Sequence, residues 1–241
     1  MASNSPDIHD IEVLGTFSID EKGNYQNDSS QRRFLVETVN DHLQFDLRDG
    51  IDDYIAQNQR KVRYASLSSV QDWIHDNMQE LTERKILETE RGGTRKLNVD
   101  FVGSTEVFSL LLRACECIDR LEILVRRCNG TYYIESSPRK YQRSSATTPA
   151  RYELSEMKYA GRKFATSITS TDEGGVPTAD EPVNANATYV VVMKRQLGDH
   201  SFILSTDVQA ERIDSIQTPP GNYVCIRSRK AHLVGNTNFK K

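Results

Sequence analysis

Residues 188–210 read TYVVVMKRQLGDHSFILSTDVQA, and residues 222–229 read NYVCIRSR. Runs rich in β-branched and aromatic residues predict three strands here, at Thr188–Arg195, Phe202–Ala210 and Asn222–Ser228. In the second, Phe202, Leu204, Val208 and Ala210 fall on one face, while Ser205, Asp207 and Gln209 fall on the other. In the third, Val224 and Ile226 oppose Cys225, Arg227 and Arg229. Adjacent strands would therefore gather Asp207, Gln209, Cys225 and Arg227 in one polar patch. A solvated sheet face with one surface ion pair has the same alternation, so the pattern alone leaves both readings open.

Upstream, the first sixty residues are polar and turn-rich, with short extended pieces at Ile11–Leu14 and Phe34–Val39. A helix is predicted from Ser66 to about Arg84, with Val70, Trp73, Ile74, Met78 and Leu81 on one face. A second fits Thr105–Ile118, and a third fits Glu153–Ile168. Leu121–Arg127 and Thr131–Glu135 read as strands joined through Asn129-Gly130, the dipeptide of a tight hairpin. Ser137–Arg151 and Ser170–Ala187 read as long loops. Late strands following mixed elements predict an α+β fold, with mixed or antiparallel central sheets and flanking helices. Residues 1–10 are expected to be a flexible tail and residues 11–241 a single domain.

The 241 residues carry a net charge of -3, but unevenly. Residues 1–56 hold twelve acids and four bases, whereas residues 222–241 hold five bases and no acid. That balance excludes a bulk polyelectrolyte binder and leaves room for a local basic groove. The polar, acidic start MASNSPDIHD is unlike a signal or transit peptide, so a nuclear or cytosolic protein is expected. Cys115, Cys117, Cys128 and Cys225 lack paired zinc-type spacing, and the five histidines form no HxxxH or HxH pair. Neither GxGxxG nor GxxxxGK[ST] occurs. The familiar hydrolase and nucleotide-binding constellations are therefore missing.

Several segments, read in order, resemble the DXO/Rai family of RNA 5′-end decapping nucleases. They are Leu14-Gly-Thr-Phe-Ser-Ile-Asp, Phe45-Asp-Leu-Arg-Asp-Gly50, Asp100-Phe-Val, Asn129-Gly-Thr, Tyr159-Ala-Gly-Arg-Lys-Phe164, Leu197-Gly-Asp-His200 and Tyr223-Val-Cys-Ile-Arg227. The resemblance implies a DXO/Rai-like nuclease fold whose C-terminal part is absent from this chain. It also implies a metal site built from an Arg, a Glu ending a GΦxΦE helix, an ExD pair and an ExK pair. Carried over by position, those residues fall on Thr105, Ala165, Asp207 with Gln209, and Cys225 with Arg227. Only Asp207 keeps a carboxylate and is the one candidate metal ligand among these positions. No bound Mg or Mn cofactor is expected, and Arg227 is expected to pair with Asp207 in the niche a metal would fill.

A pseudoenzyme is therefore expected, resembling a degenerate germline branch of the family that acts in nuclear piRNA-precursor transcription. Its expected partners are RNA 5′ ends, held by Arg227, Arg229, Lys163, Arg126, Arg127, Lys194 and Arg195. Protein partners, an exonuclease or chromatin and transcription factors, are expected as well. Two alternatives stay open: a protein scaffold without RNA binding, and a residual enzyme in which Asp207, Glu106 or Glu135 rebuilds a partial metal site.

Overall fold

The computed structural model describes residues 8–36, 46–56, 59–90, 92–114, 121–137, 151–177, 181–213 and 219–227. The first half contains β1 (Ile8–Ile19), β2 (Tyr25–Gln26), β3 (Phe34–Leu35), α1 (Gln59–Asp76), α2 (Met78–Glu83), β4 (Leu87–Thr89), β5 (Arg95–Leu97), β6 (Phe101–Ser104) and α3 (Thr105–Leu112). The second contains β7 (Ile123–Cys128), β8 (Thr131–Ser136), α4 (Arg151–Ser167), β9 (Thr169–Ser170), β10 (Thr188–Leu197), β11 (His200–Val208), β12 (Ala210–Glu211) and β13 (Tyr223–Val224). The fold is α+β with mixed sheets, as the sequence predicts. A seven-stranded sheet runs β2-β1-β10-β11-β6-β8-β7, and a four-stranded sheet runs β13-β12-β3-β9. β4 and β5 form a separate hairpin.

The two short hairpins follow from turn chemistry. Asn129 and Gly130 take φ values of 47° and 91° between β7 and β8, the left-handed pair that a two-residue loop demands. Gly198, at φ 58°, starts the equally short turn between β10 and β11. β11 then pairs antiparallel with β10 and parallel with β6, so it sits in the middle of the large sheet.

That position corrects the expectation of a polar face at Ser205, while Asp207 and Gln209 are exposed as expected. Ile203 and Ser205 are as buried as Phe202 and Leu204. On one side, Val190, Val192, Ile203 and Val102 pack with Leu67, Val70, Trp73 and Ile74 of α1. On the other, Tyr189, Val191, Met193 and Val208 pack together with Val13 and Tyr223. A strand covered on both sides loses the alternation everywhere except at its uncovered end. In β11 that end is Asp207.

Several boundaries differ from the sequence reading. β1 begins at Ile8, so residues 8–10, assigned to the tail, are extended backbone within the sheet, with Ile8 opposite Leu197 and His9 opposite Gln196. α1 starts at Gln59, seven residues before the Ser66 expected to open it. Ser69 is buried instead of capping, because packing of the α1 face outweighs the serine cluster's cap preference. The expected single helix is broken at Asn77, whose side-chain amide donates to Trp73 O at 2.8 Å. α3 is described only to Arg113 and Ala114 beyond its last turn. Residues 115–118 of the expected helix, the interior of the 137–151 loop and residues 37–39 of the expected strand lie outside the described residues.

Two contacts fix the sheets in place. Trp73 lies across Gly15 so closely that an added Cβ would meet its ring at 2.7 Å. Glu211, 3% exposed, takes Arg32 at 2.6 Å and joins β12 to the segment that precedes β3. Gly15→Ala is expected to destabilise the protein by about 1–3 kcal/mol through overpacking, read from chemical denaturation. Arg32→Met leaves Glu211 buried without its cation and is expected to cost about 3 kcal/mol in the same measurement.

Candidate functional site

Asp207 is the penultimate residue of β11 and shares its face with Ser205 and Ile203. The side chain is open to solvent, yet the protein atoms around it are enough to disfavour its charge. Desolvation there holds its carboxyl above the usual carboxylate range. Arg162 of α4 draws it back down, and Glu106 in the first turn of α3 pushes it up. Three charges from three elements thus converge where β11 ends.

The α3 side of this region is built by local chemistry. Ser104 caps the helix, its Oγ accepting from Val107 N at 3.3 Å. Thr105 Oγ1 donates to Ser205 O at 3.1 Å and also meets Thr206 Oγ1. The threonine hydroxyl therefore ties the helix start to β11. Glu106 stands exposed beside it, where the helix N-terminus favours a carboxylate.

On the opposite side, β12 and β13 pair at Ala210 with Val224 and at Glu211 with Tyr223. The ladder then stops, and Gln209 Oε1 accepts from Ile226 N in its place. Cys225 is an exposed free thiol and Arg227 is an exposed cation. Among the described residues no ion pair joins Asp207 to Arg227. The expected pairing is corrected: the cation acting on Asp207 is Arg162. β13 ends at Val224, so the chain diverges before Arg227 comes opposite Asp207.

The basic residues expected to line one groove are separated by the fold. Lys163 is 7% exposed, packed on the turn at Gly50 beside Tyr159, whose hydroxyl donates to Asp49 O. One residue along a helix is a 100° rotation, and Arg162, not Lys163, is the α4 cation whose charge is felt at Asp207. Sequence reasoning missed Arg162, although an arginine at an apolar position of the GΦxΦE-like helix was the available signal. Ala165 carries no polar side chain; its carbonyl accepts from Thr169 Oγ1 at 2.8 Å.

Lys194 and Arg195 pair with Ile203 and Phe202, and Arg126 and Arg127 pair with Tyr133 and Tyr132. Those positions lie toward the other end of the sheet, about 16 Å from Asp207 along β11. Glu135 is also occupied elsewhere, 3.8 Å from Arg126. Arg229 lies outside the described residues. Among the described residues there is no group of three or more His, Cys, Asp or Glu side chains able to hold a metal.

Comparison with known proteins places this geometry in a lineage. A family described as RAI1-like PD-(D/E)XK nuclease matches residues 10–238. The mouse (Mus musculus) decapping and exoribonuclease protein is 28% identical over 228 residues, covering 92% of this chain and 54% of that protein. Its human counterpart is 27% identical over 228 residues, with the same two coverages. The chain thus spans about half the length of the curated relatives it matches. Scheffersomyces stipitis Rai1, solved with (3′-NADP)+ and calcium ion, superposes with a TM-score of 0.69 at 18% identity, covering 98% of this chain and 66% of that one. Candida albicans Rai1, solved with pU5-Mn2+, gives 0.69 at 17% identity, covering 97% and 64%. The structural matches establish the shared fold, and the family match covers nearly the whole chain. The chain belongs to the RAI1-like PD-(D/E)XK nuclease family.

Proposed function

We propose that this chain is a non-catalytic member of the family that holds RNA 5′ ends and so shields transcripts from decay or termination. The observation that carries the reading is the charge arrangement at the end of β11. Asp207 is the one carboxylate left at the positions matched to the family's acids, and the Arg162 charge acts on it. Divalent Mg or Mn takes several hard oxygen donors. Here Gln209 Oε1 already accepts from Ile226 N, Cys225 offers soft sulfur, and Ala165 offers no donor. Glu106 adds a second carboxylate but disfavours ionisation of Asp207. This donor set does not fit the metal centre of an active nuclease. Arg162 supplies a positive charge near Asp207 that needs no metal, the contact a 5′ phosphate would use.

A 5′ phosphate seated on Arg162 would need no metal to bind. The setting we infer is nuclear, in germline piRNA-precursor transcription, in the manner of the degenerate family member Cutoff. Protein partners, an exonuclease or a chromatin or transcription factor, would connect the held end to its fate.

Incubating the protein with 5′-monophosphate, 5′-triphosphate and capped RNAs, with Mg²⁺ or Mn²⁺ present, tests the reading. Salt-sensitive binding without cleavage is expected, and Arg162→Gln should lower the preference for a 5′ phosphate over a 5′ hydroxyl by about tenfold. Metal-dependent cleavage that disappears in Asp207→Asn would overturn the proposal in favour of a residual enzyme. Absence of RNA binding would favour a protein scaffold.

Asp207 also makes a stability prediction. Its folded carboxyl titrates above its unfolded value, so stability falls as pH rises from the unfolded toward the folded pKa, and the destabilisation is fully present above the latter. Asp207→Asn should raise the melting temperature at neutral pH, with the gain vanishing as pH falls below the ordinary carboxylate range. Thermal melts across pH 3–8 check this (a window of roughly that width brackets carboxylate titration).

A further inference from the structure

We infer that the chain carries a second surface for single-stranded RNA, a stacking row across the large sheet at the end opposite Asp207. The register places Arg195 opposite Phe202, Phe202 beside Phe101, Phe101 beside Tyr132, and Tyr132 opposite Arg127. Directly paired residues project to the same side of a sheet. One lateral row therefore reads Arg-Phe-Phe-Tyr-Arg over five consecutive strands, β10, β11, β6, β8 and β7. At roughly 4.8 Å per strand it spans about 19 Å.

The ring contacts agree with that register. Phe101 stacks on Phe202 with centroids 5.1 Å apart, and on Tyr132 at 5.7 Å. Phe108 of α3 and His200 meet these rings edge-on. The Arg127 guanidinium lies over Tyr132, 5.4 Å from its centroid. Phe202 is the buried support, whereas Tyr132 is 37% exposed and Arg127 is open to solvent. The His200 side chain is also solvated, at 65%.

A satellite core would bury Tyr132 as it buries Phe202, and would not place a cation at each end. Arg195 is the more telling end. Its Nε is buried without a hydrogen-bond partner, and among the described residues it makes no ion pair. A partly desolvated guanidinium without an anion is costly, and a phosphate oxygen would satisfy it. Asp100 is already accepting from Ser201 N and Oγ at 2.8 and 3.1 Å, and Glu12, which lines the same recess as Arg195, makes an ion pair with Arg84. An exposed tyrosine backed by a half-buried and a buried phenylalanine and flanked by arginines matches the chemistry of bases on rings and phosphates on cations. The row carries no base-edge donors arranged for readout, so the expected ligand is a single strand without sequence preference. The inference does not rest on the pseudoenzyme reading, because the row lies about 16 Å from Asp207.

The test uses the full chain and a 3′-labelled oligouridine, prepared with either a 5′ hydroxyl or a 5′ phosphate. Tyr132→Leu and Arg127→Gln alter exposed groups, and Arg195→Gln removes a cation whose Nη2 meets only Met193 Sδ and whose Nε has no hydrogen-bond partner; melting curves verify folding. Each is expected to weaken binding by about tenfold, equally for both 5′ ends, since stacking and phosphate contacts carry about 1–3 kcal/mol per base. Arg127→Gln should also reduce the salt slope by about 0.7. Arg162→Gln, by contrast, should discriminate between the two ends, which separates failure of this surface from failure of the 5′-end site. Affinities within twofold of the unmodified protein for Tyr132→Leu and Arg127→Gln together would overturn the inference. So would equal binding of duplex RNA, or displacement of the oligouridine by poly-glutamate at the same concentration, which would mark a protein-binding surface.

Discussion

The structure depends on the double-sided burial of β11. This strand is held by β10 on one edge and by β6 on the other, and both its faces are packed. It then passes through Gln209 into β12, the strand that builds the second sheet with β3 and β13. A single run of eleven residues therefore spans both sheets (His200 to Ala210). Wherever β11 sits, the site at its end is determined, because α3 starts from the parallel neighbour β6 and is tied to β11 through Thr105. Position and chemistry are coupled by one strand.

Burial on both faces also explains which parts of the fold were legible in the sequence. The hairpin at Asn129-Gly130 could be read because φ preferences are local. The α1 face could be read because Val70, Trp73 and Ile74 keep helical spacing to the core. The start of α1 could not, since Ser66–Ser69 offer a cap that packing overrides. The polar face expected along this run holds only at its far end. Ser205 is small enough to be buried, whereas Asp207 and Gln209 are exposed.

The site was legible in position but not in wiring. Asp207, Gln209 and Cys225 fall around the end of β11 as the strand alternation and the family resemblance implied. Charges that act at a distance across elements have no signature in strand periodicity, so Arg162 and the burial of Lys163 emerged only from the packing of α4. Arg126 and Arg127, expected to join the others in one RNA-binding groove, are exposed on β7, and strand direction decides which end of a sheet they occupy. That vector depends on which strand neighbours which, and the order β11-β6-β8-β7 is a long-range property.

The Thr105 hydroxyl has a consequence for how this region tolerates change. It bonds Ser205 O and meets Thr206, and so anchors the start of α3. A charged side chain placed there would add a charge and remove an anchor. Gln209 is likewise a tether for Ile226 N. Positions that carry structural tasks of this kind constrain one another, so new chemistry at the end of β11 requires compensating change in the scaffold around it.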